Sequence, residues 1–479
     1  MKTAQQFVDS VRALEREVYI LGERVDDVTA HPILRPSLNA LAKTYELAHD
    51  PTHRHLLVRQ GLGGHPVNCF TTLHGSTADL LNKVRAQRLL GQQTATCFQR
   101  CVGWDALNAV EGTTYDMDAA LGADYHRRFM AYLGYVQQDD LVCDGAMTDV
   151  KGDRGRRPSE QADPDLYLHV VDRTSDGIVV RGAKAHQTGA LFSHEILVMP
   201  TLTLREGEKD YAVSFAIPSD SKGLVYVLGR QPSDTRKLEN SAMDVGNPTY
   251  GSHEALVIFN DVFVPRERLF MDGEWQFAGT MVERFAAYHR QSYGGCKVGV
   301  GDVLIGAAAL ATKFAGVQDK SHVRRKLGEM VRLNETLFCC GLACSEAGAA
   351  MPSGTYLANV LLANVCKQNV TCMPYEIARL AEDLAGGLVV TLPSEKDLNH
   401  PKVGPLIEKY LRGVADVPTA DRMRLLRLIE SMTLGAGSAA YRTESMHGAG
   451  SPEAQMIMIG RLSDLEAKMA LARRVAGIA

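Results

Sequence analysis

A series of short strand patterns in the middle of the chain limits its fold more than any other feature. The patterns cover 166–172, 177–181, 195–199, 211–217, 224–228 and 255–259. No helical pattern separates them, so the sequence predicts an antiparallel sheet or barrel. Helical periodicity fills the chain before and after this region. We therefore predict an α+β fold with an N-terminal helical domain (1–140), a middle antiparallel β-domain (141–269) and a C-terminal helical bundle (270–479). In the first domain, apolar residues from Phe7 to Val18 repeat with a helical period.

Composition and charge argue against several kinds of partner. The net charge is −4 and there is no block of Lys and Arg, which argues against a nucleic-acid partner. No apolar run reaches the roughly 20 residues that span a bilayer, and the first residues begin an amphipathic helix rather than a signal peptide. We expect a cytoplasmic protein without a membrane partner. Its ten cysteines are then not expected to form a disulfide framework.

The stretch 287–298 places His289 and Cys296 seven residues apart across Gly294 and Gly295. Helical patterns lie on both sides of the two glycines. Because glycine adopts positive φ angles without steric cost, we predict a sharp turn between two helices here. Such a turn would bring His289 and Cys296 to one point.

Two further cysteines, Cys97 and Cys101, lie far upstream with a spacing of four residues. In a helix this spacing places both thiols on one face, one turn apart. Together with His289 and Cys296 they make four ligands that suit zinc or an iron–sulfur cluster. Taken alone, Cys97 and Cys101 are typical of small buried residues that pack a core.

Three polar loops that contain glycine interrupt the helix and strand patterns, at 149–154, 184–190 and 441–452. The last loop opens a helix, and its backbone N–H groups would suit a phosphate or a flavin edge. Glu254 begins a strand and Glu444 lies in the last loop. Each feature alone is typical of an ordinary surface. A carboxylate that faces a cofactor cleft would instead act as an acid or a base.

Several of these segments together match a known family. The matching segments are 97–103, 144–149, 180–189, 288–299 and 441–452. On these residues the chain resembles the 4-hydroxybutyryl-CoA dehydratases, which belong with the 4-hydroxyphenylacetate 3-hydroxylase flavoproteins. The resemblance runs nearly end to end and implies an acyl-CoA-dehydrogenase-like fold and a homotetramer. It also implies FAD and a [4Fe–4S] cluster. The implied cluster ligands are Cys97, Cys101, His289 and Cys296.

The resemblance also implies which residues surround the flavin. Thr188 would lie near the reactive edge of the flavin. The residues that would line it are Ala146, Met147, Lys151, Gly152, Asp153, Arg154, His447, Gly448, Ala449 and Gly450.

The implied reaction is the radical dehydration of 4-hydroxybutyryl-CoA to crotonyl-CoA, with isomerisation of vinylacetyl-CoA as a side activity. The C3 hydrogen of this substrate is not acidic, so a cofactor must carry the difficult step. We hypothesise that His289 takes the C2 proton. Glu444, Glu254, Tyr293 and Lys297 would position the hydroxyl or the thioester and move protons.

Two alternatives remain open from the sequence. The first is a two-component flavin hydroxylase, which would receive reduced flavin from a reductase and need no metal. The second is a structural zinc protein, in which the same four ligands only hold helices together.

Overall fold

The computed structural model describes residues 1–231 and 234–478. Most helices lie in the N-terminal and C-terminal parts of the sequence, and most strands of the two larger sheets lie between them. The α-helices among these residues are α1 Ala4–Arg12, α2 Arg35–His49, α3 Arg54–Leu57, α4 Thr77–Thr94, α5 Cys101–Leu121, α6 Tyr125–Gln138, α7 Trp275–Phe314, α8 Ser321–Glu346, α9 Val360–Val370, α10 Met373–Ala385, α11 Glu395–Leu398, α12 Gly404–Tyr410, α13 Thr419–Thr433, α14 Glu444–His447, α15 Pro452–Leu462 and α16 Leu465–Ala476.

The strands form two larger sheets and two small hairpins. They are β1 Glu17–Ile20, β2 Glu23–Arg24, β3 Val58–Gln60, β4 Pro66–Asn68, β5 Cys143–Ala146, β6 His169–Arg173, β7 Gly177–Thr188, β8 Glu195–Val198, β9 Val213–Pro218, β10 Leu224–Leu228, β11 Glu254–Pro265, β12 Leu269–Asp272, β13 Ala349–Ala350 and β14 Tyr356–Leu357. One sheet has the order β2-β1-β10-β11-β7-β6 and the other the order β12-β9-β8-β5. The predicted combination of helices and sheet is confirmed.

Two details of the sheets differ from the sequence prediction. Most strand pairs are antiparallel, as predicted, but β1 pairs with β10 and β5 pairs with β8 in parallel. The helix predicted from Phe7 to Val18 is also too long, because α1 ends at Arg12. Val18 and Ile20 are buried in β1 while Glu17 is exposed, which is the alternation of a strand that covers a core. A segment from the predicted helical domain thus joins the six-stranded sheet.

One hydrophobic core lies between the two larger sheets. Phe215 of β9 and Phe259 of β11 meet edge to face with ring centroids 6.2 Å apart. Ile196 and Val257 are fully buried in the same cluster. The packed sheets give β7 and β11 a fixed register, in which Thr188 at the end of β7 pairs with Glu254 at the start of β11.

The 40-residue helix α7 lies at the centre of the helical bundle and packs against α4, α5, α8 and α9. It runs without a turn through Gly294 and Gly295, so the predicted turn is wrong. The two glycines instead let other parts of the backbone approach α7 closely. A Cβ on Gly294 would lie 2.6 Å from the Cα of Gly341, and a Cβ on Gly295 would overlap the carbonyl oxygen of Val84. Glycine is required here because neighbouring backbones touch.

Helix α7 is also long and apolar enough to cross a bilayer, judged by length and composition alone. In its most apolar window, 67% of the residues are buried inside the protein. This burial is what the central helix of a packed bundle requires, because such a helix is apolar on every side.

Candidate active site

Two turns of helix α7 carry His289 and Cys296. A separation of seven residues is about two helical turns, so both side chains lie on the same face of the helix. Cys296 is partly buried and packs against a core cluster that contains Cys101, Phe98 and Trp104. The helix itself, rather than a glycine turn, therefore places His289 and Cys296 on one side.

The Cys97 and Cys101 thiols come from a break between α4 and α5. Helix α4 ends at Thr94, and the next residues include Ala95 and Gln99 with φ angles of 54° and 65°. Such angles interrupt a right-handed helix. Cys97 therefore lies in a loop and Cys101 is the first residue of α5, so the prediction of one shared helix is wrong. The thiols are nevertheless neighbours, because Cys97 lies close enough to raise the pKa of Cys101.

The Cys97, Cys101 and Cys296 thiols lie together beside Tyr293, with Cys101 and Tyr293 buried and Cys97 and Cys296 partly buried. The hydrogen bond with Cys97, burial and the nearby Cys296 raise the pKa of Cys101 well above its ordinary value. Burial raises the pKa of Cys296 to about 12, and Cys97 adds to this rise although Lys297 opposes it. Burial, Glu444 and all three thiols raise the pKa of Tyr293. Thiols placed this way ionise only when a positive partner compensates their charge.

Among the described residues, these thiols do not form a site for a single metal ion. The residues at 1–231 and 234–478 contain no group of three or more His, Cys, Asp or Glu side chains that could hold a metal ion.

A fully buried carboxylate fixes one nitrogen of His289. Nδ1 of His289 lies 2.7 Å from Oδ2 of Asp105. Asp105 also forms an ion pair with the fully buried Lys83 and accepts a 3.0 Å hydrogen bond from Ser292 Oγ. Burial raises the pKa of Asp105, but Lys83 and His289 outweigh this effect and hold that pKa below its ordinary value. Asp105 is thus a charged acceptor, and only Nε2 of His289 is left for another partner.

Glu254 and Glu444 form a pair of carboxyl groups between the sheet and the bundle. The Thr188 hydroxyl donates to Glu254 and lies 2.8 and 2.7 Å from its two oxygens. Glu444 accepts a 2.5 Å hydrogen bond from Lys297. Burial and the neighbouring Glu444 raise the pKa of Glu254 well above its ordinary value, and the Thr188 bond only partly opposes them. The pair is therefore asymmetric: Glu254 favours its protonated form, and Glu444 is paired with a cation.

A π-helical turn, Ala439–Thr443, comes directly before Glu444. Lys297 donates to the carbonyl oxygen of Ala440 in this turn at 2.5 Å as well as to Glu444. Turns of this kind are rare and occur often at functional sites. Lys297 therefore holds both the irregular backbone and the carboxylate that follows it.

The nitrogens of two buried lysines lie near the ring of Tyr293. Its ring centroid is 5.1 Å from Nζ of Lys297 and 4.9 Å from Nζ of Lys367. Lys367 also donates to the carbonyl oxygen of Ser445 at 2.6 Å. Burial, together with the charges of Lys297 and Arg290, lowers the pKa of Lys367 to about 7. These contacts fix the tyrosine ring and surround it with positive charge.

Two of the loops predicted to line a flavin converge at His186. Burial lowers the pKa of His186, and the charges of Lys151 and His447 lower it further. The loop after β5 and the turn after α14 therefore face the same side chain. Thr188 follows two residues later on β7. The structure thus brings Lys151, Thr188 and His447 into one region.

The remaining predicted flavin residues lie on the same two loops. Ala146 ends β5 and is fully buried, and Met147 follows it. Gly152 has a φ of 45°, and its neighbours Asp153 and Arg154 are exposed.

Residues of helix α7 contact the second of these loops, 447–450. A Cβ on Gly448 would overlap the Tyr293 hydroxyl. Ala449 and Gly450 have positive φ angles of 56° and 98°. Arg290 donates to the carbonyl oxygen of Ala449 at 3.0 Å. The loop therefore depends on a small residue at 448 and on a buried arginine.

Comparison with known proteins places this site in a family. Models of the N-terminal and C-terminal parts of 4-hydroxyphenylacetate 3-hydroxylase match residues 3–271 and 278–477. The chain belongs to the 4-hydroxyphenylacetate 3-hydroxylase family. Within this family it is 56% identical over 488 residues to a 4-hydroxybutyryl-CoA dehydratase/vinylacetyl-CoA-Δ-isomerase from Clostridium aminobutyricum, and the alignment covers 100% of both chains. The resemblance predicted from the sequence is confirmed.

Solved structures of family members have the same fold. An oxygen-tolerant archaeal 4-hydroxybutyryl-CoA dehydratase from N. maritimus matches with a TM-score of 0.98 and 51% identity, over 100% of this chain and 95% of that one. The oxygenase component of 4-hydroxyphenylacetate 3-monooxygenase, solved with FAD, matches with a TM-score of 0.86 and 24% identity over 99% and 98% of the two chains. The second match establishes the shared fold only.

Sequence reasoning missed several residues of this family site. Lys83, Asp105 and Lys367 were not predicted, although all three are fully buried. The available signal was a charged residue inside an apolar helical stripe, such as Lys83 between Leu80 and Val84. Lysine and aspartate are rarely buried unless they are paired, so each such position merits a search for its partner.

Proposed function

We propose that this protein removes water from 4-hydroxybutyryl-CoA to give crotonyl-CoA and also isomerises vinylacetyl-CoA to crotonyl-CoA. One observation carries the proposal. Around Tyr293 lie three thiols, one imidazole at 5.2 Å and the Glu444 carboxylate, in a chain that is 56% identical to a relative named for both activities.

The donor set fits a [4Fe–4S] cluster held by Cys97, Cys101, His289 and Cys296. Three thiols lie together beside Tyr293, and His289 has one ring nitrogen left besides the one that faces Asp105. Such a cluster is wider than a single ion, so its ligands stand farther apart than those of a mononuclear site. Positive iron would also compensate thiols whose ionisation burial opposes.

The loops around His186 support an FAD site next to this centre. We propose that Thr188 lies at the reactive edge of the flavin. The residues proposed to line it are Ala146, Met147, Lys151, Gly152, Asp153, Arg154, His447, Gly448, Ala449 and Gly450. Left-handed backbone at Lys151, Gly152, Ala449 and Gly450 turns N–H groups outward, which suits phosphate and ring oxygens. When bound, the flavin supplies one-electron chemistry and the cluster supplies a Lewis acid for the departing hydroxyl.

The protein side chains carry the protons of this reaction. The substrate loses a C2 proton, one C3 hydrogen and the C4 hydroxyl, and C4 gains a hydrogen. His289 Nε2 is the atom proposed both to bind the cluster and, when it is not bound to iron, to accept the C2 proton, because Nδ1 faces the Asp105 carboxylate. Glu254 favours its protonated form and gives its proton to the C4 hydroxyl, which leaves as water. The proton taken from C2 restores the Glu254 acid through Glu444, which Lys297 holds in place, and the hydrogen lost at C3 balances the one gained at C4.

Tyr293 and the lysines orient the thioester. The raised pKa of Tyr293 keeps its hydroxyl a hydrogen-bond donor at neutral pH. The Nζ atoms of Lys297 and Lys367 lie 5.1 and 4.9 Å from the centroid of its ring. Positive charge near a thioester oxygen favours the enolate that forms when C2 loses its proton.

The experiment that tests the proposal is an anaerobic preparation of the full chain, with iron, acid-labile sulfide and flavin counted and crotonyl-CoA formation assayed. About four irons and four sulfides per chain with one FAD, together with turnover of 4-hydroxybutyryl-CoA, would support it. Flavin without iron and no turnover would favour the two-component hydroxylase. Zinc alone would favour the structural zinc protein.

Other expectations are part of the same proposal. We propose a homotetramer in the cytoplasm that binds an acyl-CoA substrate, without nucleic-acid or membrane partners. The three-part division at residues 140 and 269 and the acyl-CoA-dehydrogenase-like description of the fold also stay predictions. Mass measurement of the native protein would test the tetramer.

A further inference from the structure

Asp105 lies at the centre of a hydrogen-bond network that includes His289. Asp105 is fully buried on α5. Its Oδ1 faces the Lys83 ammonium, and its Oδ2 faces both His289 Nδ1 at 2.7 Å and Ser292 Oγ at 3.0 Å. Ser292 Oγ also lies 3.4 Å from Oδ1. Lys83 is thus paired with Oδ1 and His289 with Oδ2, so the two oxygens have different principal partners.

Lys83 fixes the orientation of this carboxylate. Its ammonium also donates to the carbonyl oxygen of Tyr288 at 2.9 Å and to Oε1 of Gln291 at 3.2 Å. An ammonium has donors only, so the atom that faces it at Asp105 must be an acceptor. On the other side, Gln87 donates to Ser292 Oγ at 3.0 Å, and the Ser292 hydroxyl has two acceptors in reach, Asp105 Oδ2 at 3.0 Å and the carbonyl oxygen of Tyr288 at 3.1 Å. Asp105 is thus an acceptor towards both Lys83 and Ser292.

We infer that Asp105 is a positioning residue that fixes His289 in the tautomer with the proton on Nδ1 and so presents a bare Nε2 to the metal centre. This inference rests on the proposed cluster. A histidine that ligates a metal commonly donates its other N–H to a carboxylate, which orients the ring. In this chain the network consists of Lys83, Ser292 and Gln87 behind Asp105, and none of these was assigned a role above.

The substitution Asp105→Asn separates this role from simple packing. Asparagine has nearly the shape of aspartate, but one of its terminal atoms is a donor. Because Lys83 requires an acceptor, the amide oxygen must face Lys83 and the amide NH2 must face His289. His289 Nδ1 then becomes an acceptor, the proton moves to Nε2, and Nε2 can no longer bind iron.

Lys83→Met is the matched control. It breaks the same buried ion pair but leaves the Asp105 acceptor opposite His289. Both variants and the wild-type chain would be purified anaerobically at full length. Iron per chain and the Mössbauer spectrum would be measured, together with the ¹⁵N shifts of His289 in histidine-labelled protein. The His289 signals would be assigned by their loss in His289→Gln.

The expected result is that Asp105→Asn loses about one of four irons per chain and shows the proton on Nε2, while Lys83→Met keeps its iron and the Nδ1 proton. Equal loss of iron in both variants, or an unchanged tautomer in Asp105→Asn, would overturn the inference. If the wild-type chain carries no iron, the proposed function fails, but the ¹⁵N shifts of wild type and Asp105→Asn still decide whether Asp105 sets the tautomer.

Discussion

The carboxyl groups of Glu254 and Glu444 lie against each other, although one begins a β-strand and the other begins a short helix in the last part of the chain. Of the two carboxyl groups, Glu444 accepts from Lys297 and Glu254 accepts from Thr188. Two neighbouring carboxyl groups do not both ionise readily, and burial together with Glu444 raises the pKa of Glu254 well above its ordinary value. Glu254 is therefore the acid of the pair.

The first prediction concerns this acid. Glu254→Gln keeps the shape of the side chain but cannot release a proton, so we expect turnover to fall by about 10² to 10⁴. In the wild-type enzyme, activity should decline as pH rises through the raised pKa of Glu254, because the acid form is lost. Thr188→Val removes a bond that lowers this pKa, so the declining limb should move to higher pH. A pH profile of kcat checks both, and a limb that moves to lower pH would contradict the assignment.

The second prediction concerns His289. Cysteine can replace an imidazole as an iron ligand but provides no neutral nitrogen base. We expect His289→Cys to keep the cluster and to lose turnover. The visible spectrum and iron count should stay close to those of wild type, while crotonyl-CoA formation disappears. His322→Cys, at an exposed position on α8, adds the same thiol away from the site and should remain active. Full activity in His289→Cys would refute the role of His289 as base.

The third prediction concerns the helix crossing at Gly294. A Cβ there would lie 2.6 Å from the Cα of Gly341, so Gly294→Ala should force α7 and α8 apart and destabilise the fold by about 1–3 kcal/mol. Gly306→Ala is the matched control on the same helix, since it is exposed and its Cβ would meet nothing within 4 Å. Gly306→Ala should raise the free energy of unfolding by about 0.5–1 kcal/mol, because alanine favours a helix more than glycine does. Thermal unfolding of both variants measures the difference, and equal shifts would contradict the packing argument.

These glycines also show what the sequence could not reveal. A pair of glycines in a helical region is compatible with a turn or with close helix packing, and the choice depends on Gly341 and Val84, which are remote in the chain. The same limit applies to Cys97 and Cys101. Their spacing predicted neighbouring thiols, but the helix break occurs at Ala95 and Gln99, which carry no glycine or proline signal.

The sequence did predict the general order of helices and sheet, because the change from helical to strand periodicity is local. It did not predict the network around His289. Lys83 and Asp105 reach His289 only after three helices pack together, and no local pattern records such a contact. The residue types in the sequence suggested which side chains bind a metal. The residues that orient one of those side chains could be identified only from the tertiary structure.

The last prediction concerns Asp144 in strand β5. This residue is fully buried, and burial raises the pKa of its carboxyl to about 8, opposed only by a backbone bond from Gly145. Between the ordinary pKa and about 8, the folded chain holds a proton that the unfolded chain has released. Folding stability from this group should therefore fall as pH rises across that window, by at most about 1.4 kcal/mol per pH unit.

Asp144→Asn resembles the protonated acid and does not titrate. We expect this variant to match wild type near pH 4 and to unfold at a higher temperature than wild type near pH 8, because wild type then loses stability either by burying a charge or by taking up a proton on folding. Asp176→Asn, at an exposed turn, should show no such dependence. Thermal unfolding of the three chains at several pH values measures it. A stabilisation that is equal at every pH would point to packing of the amide rather than to titration of Asp144.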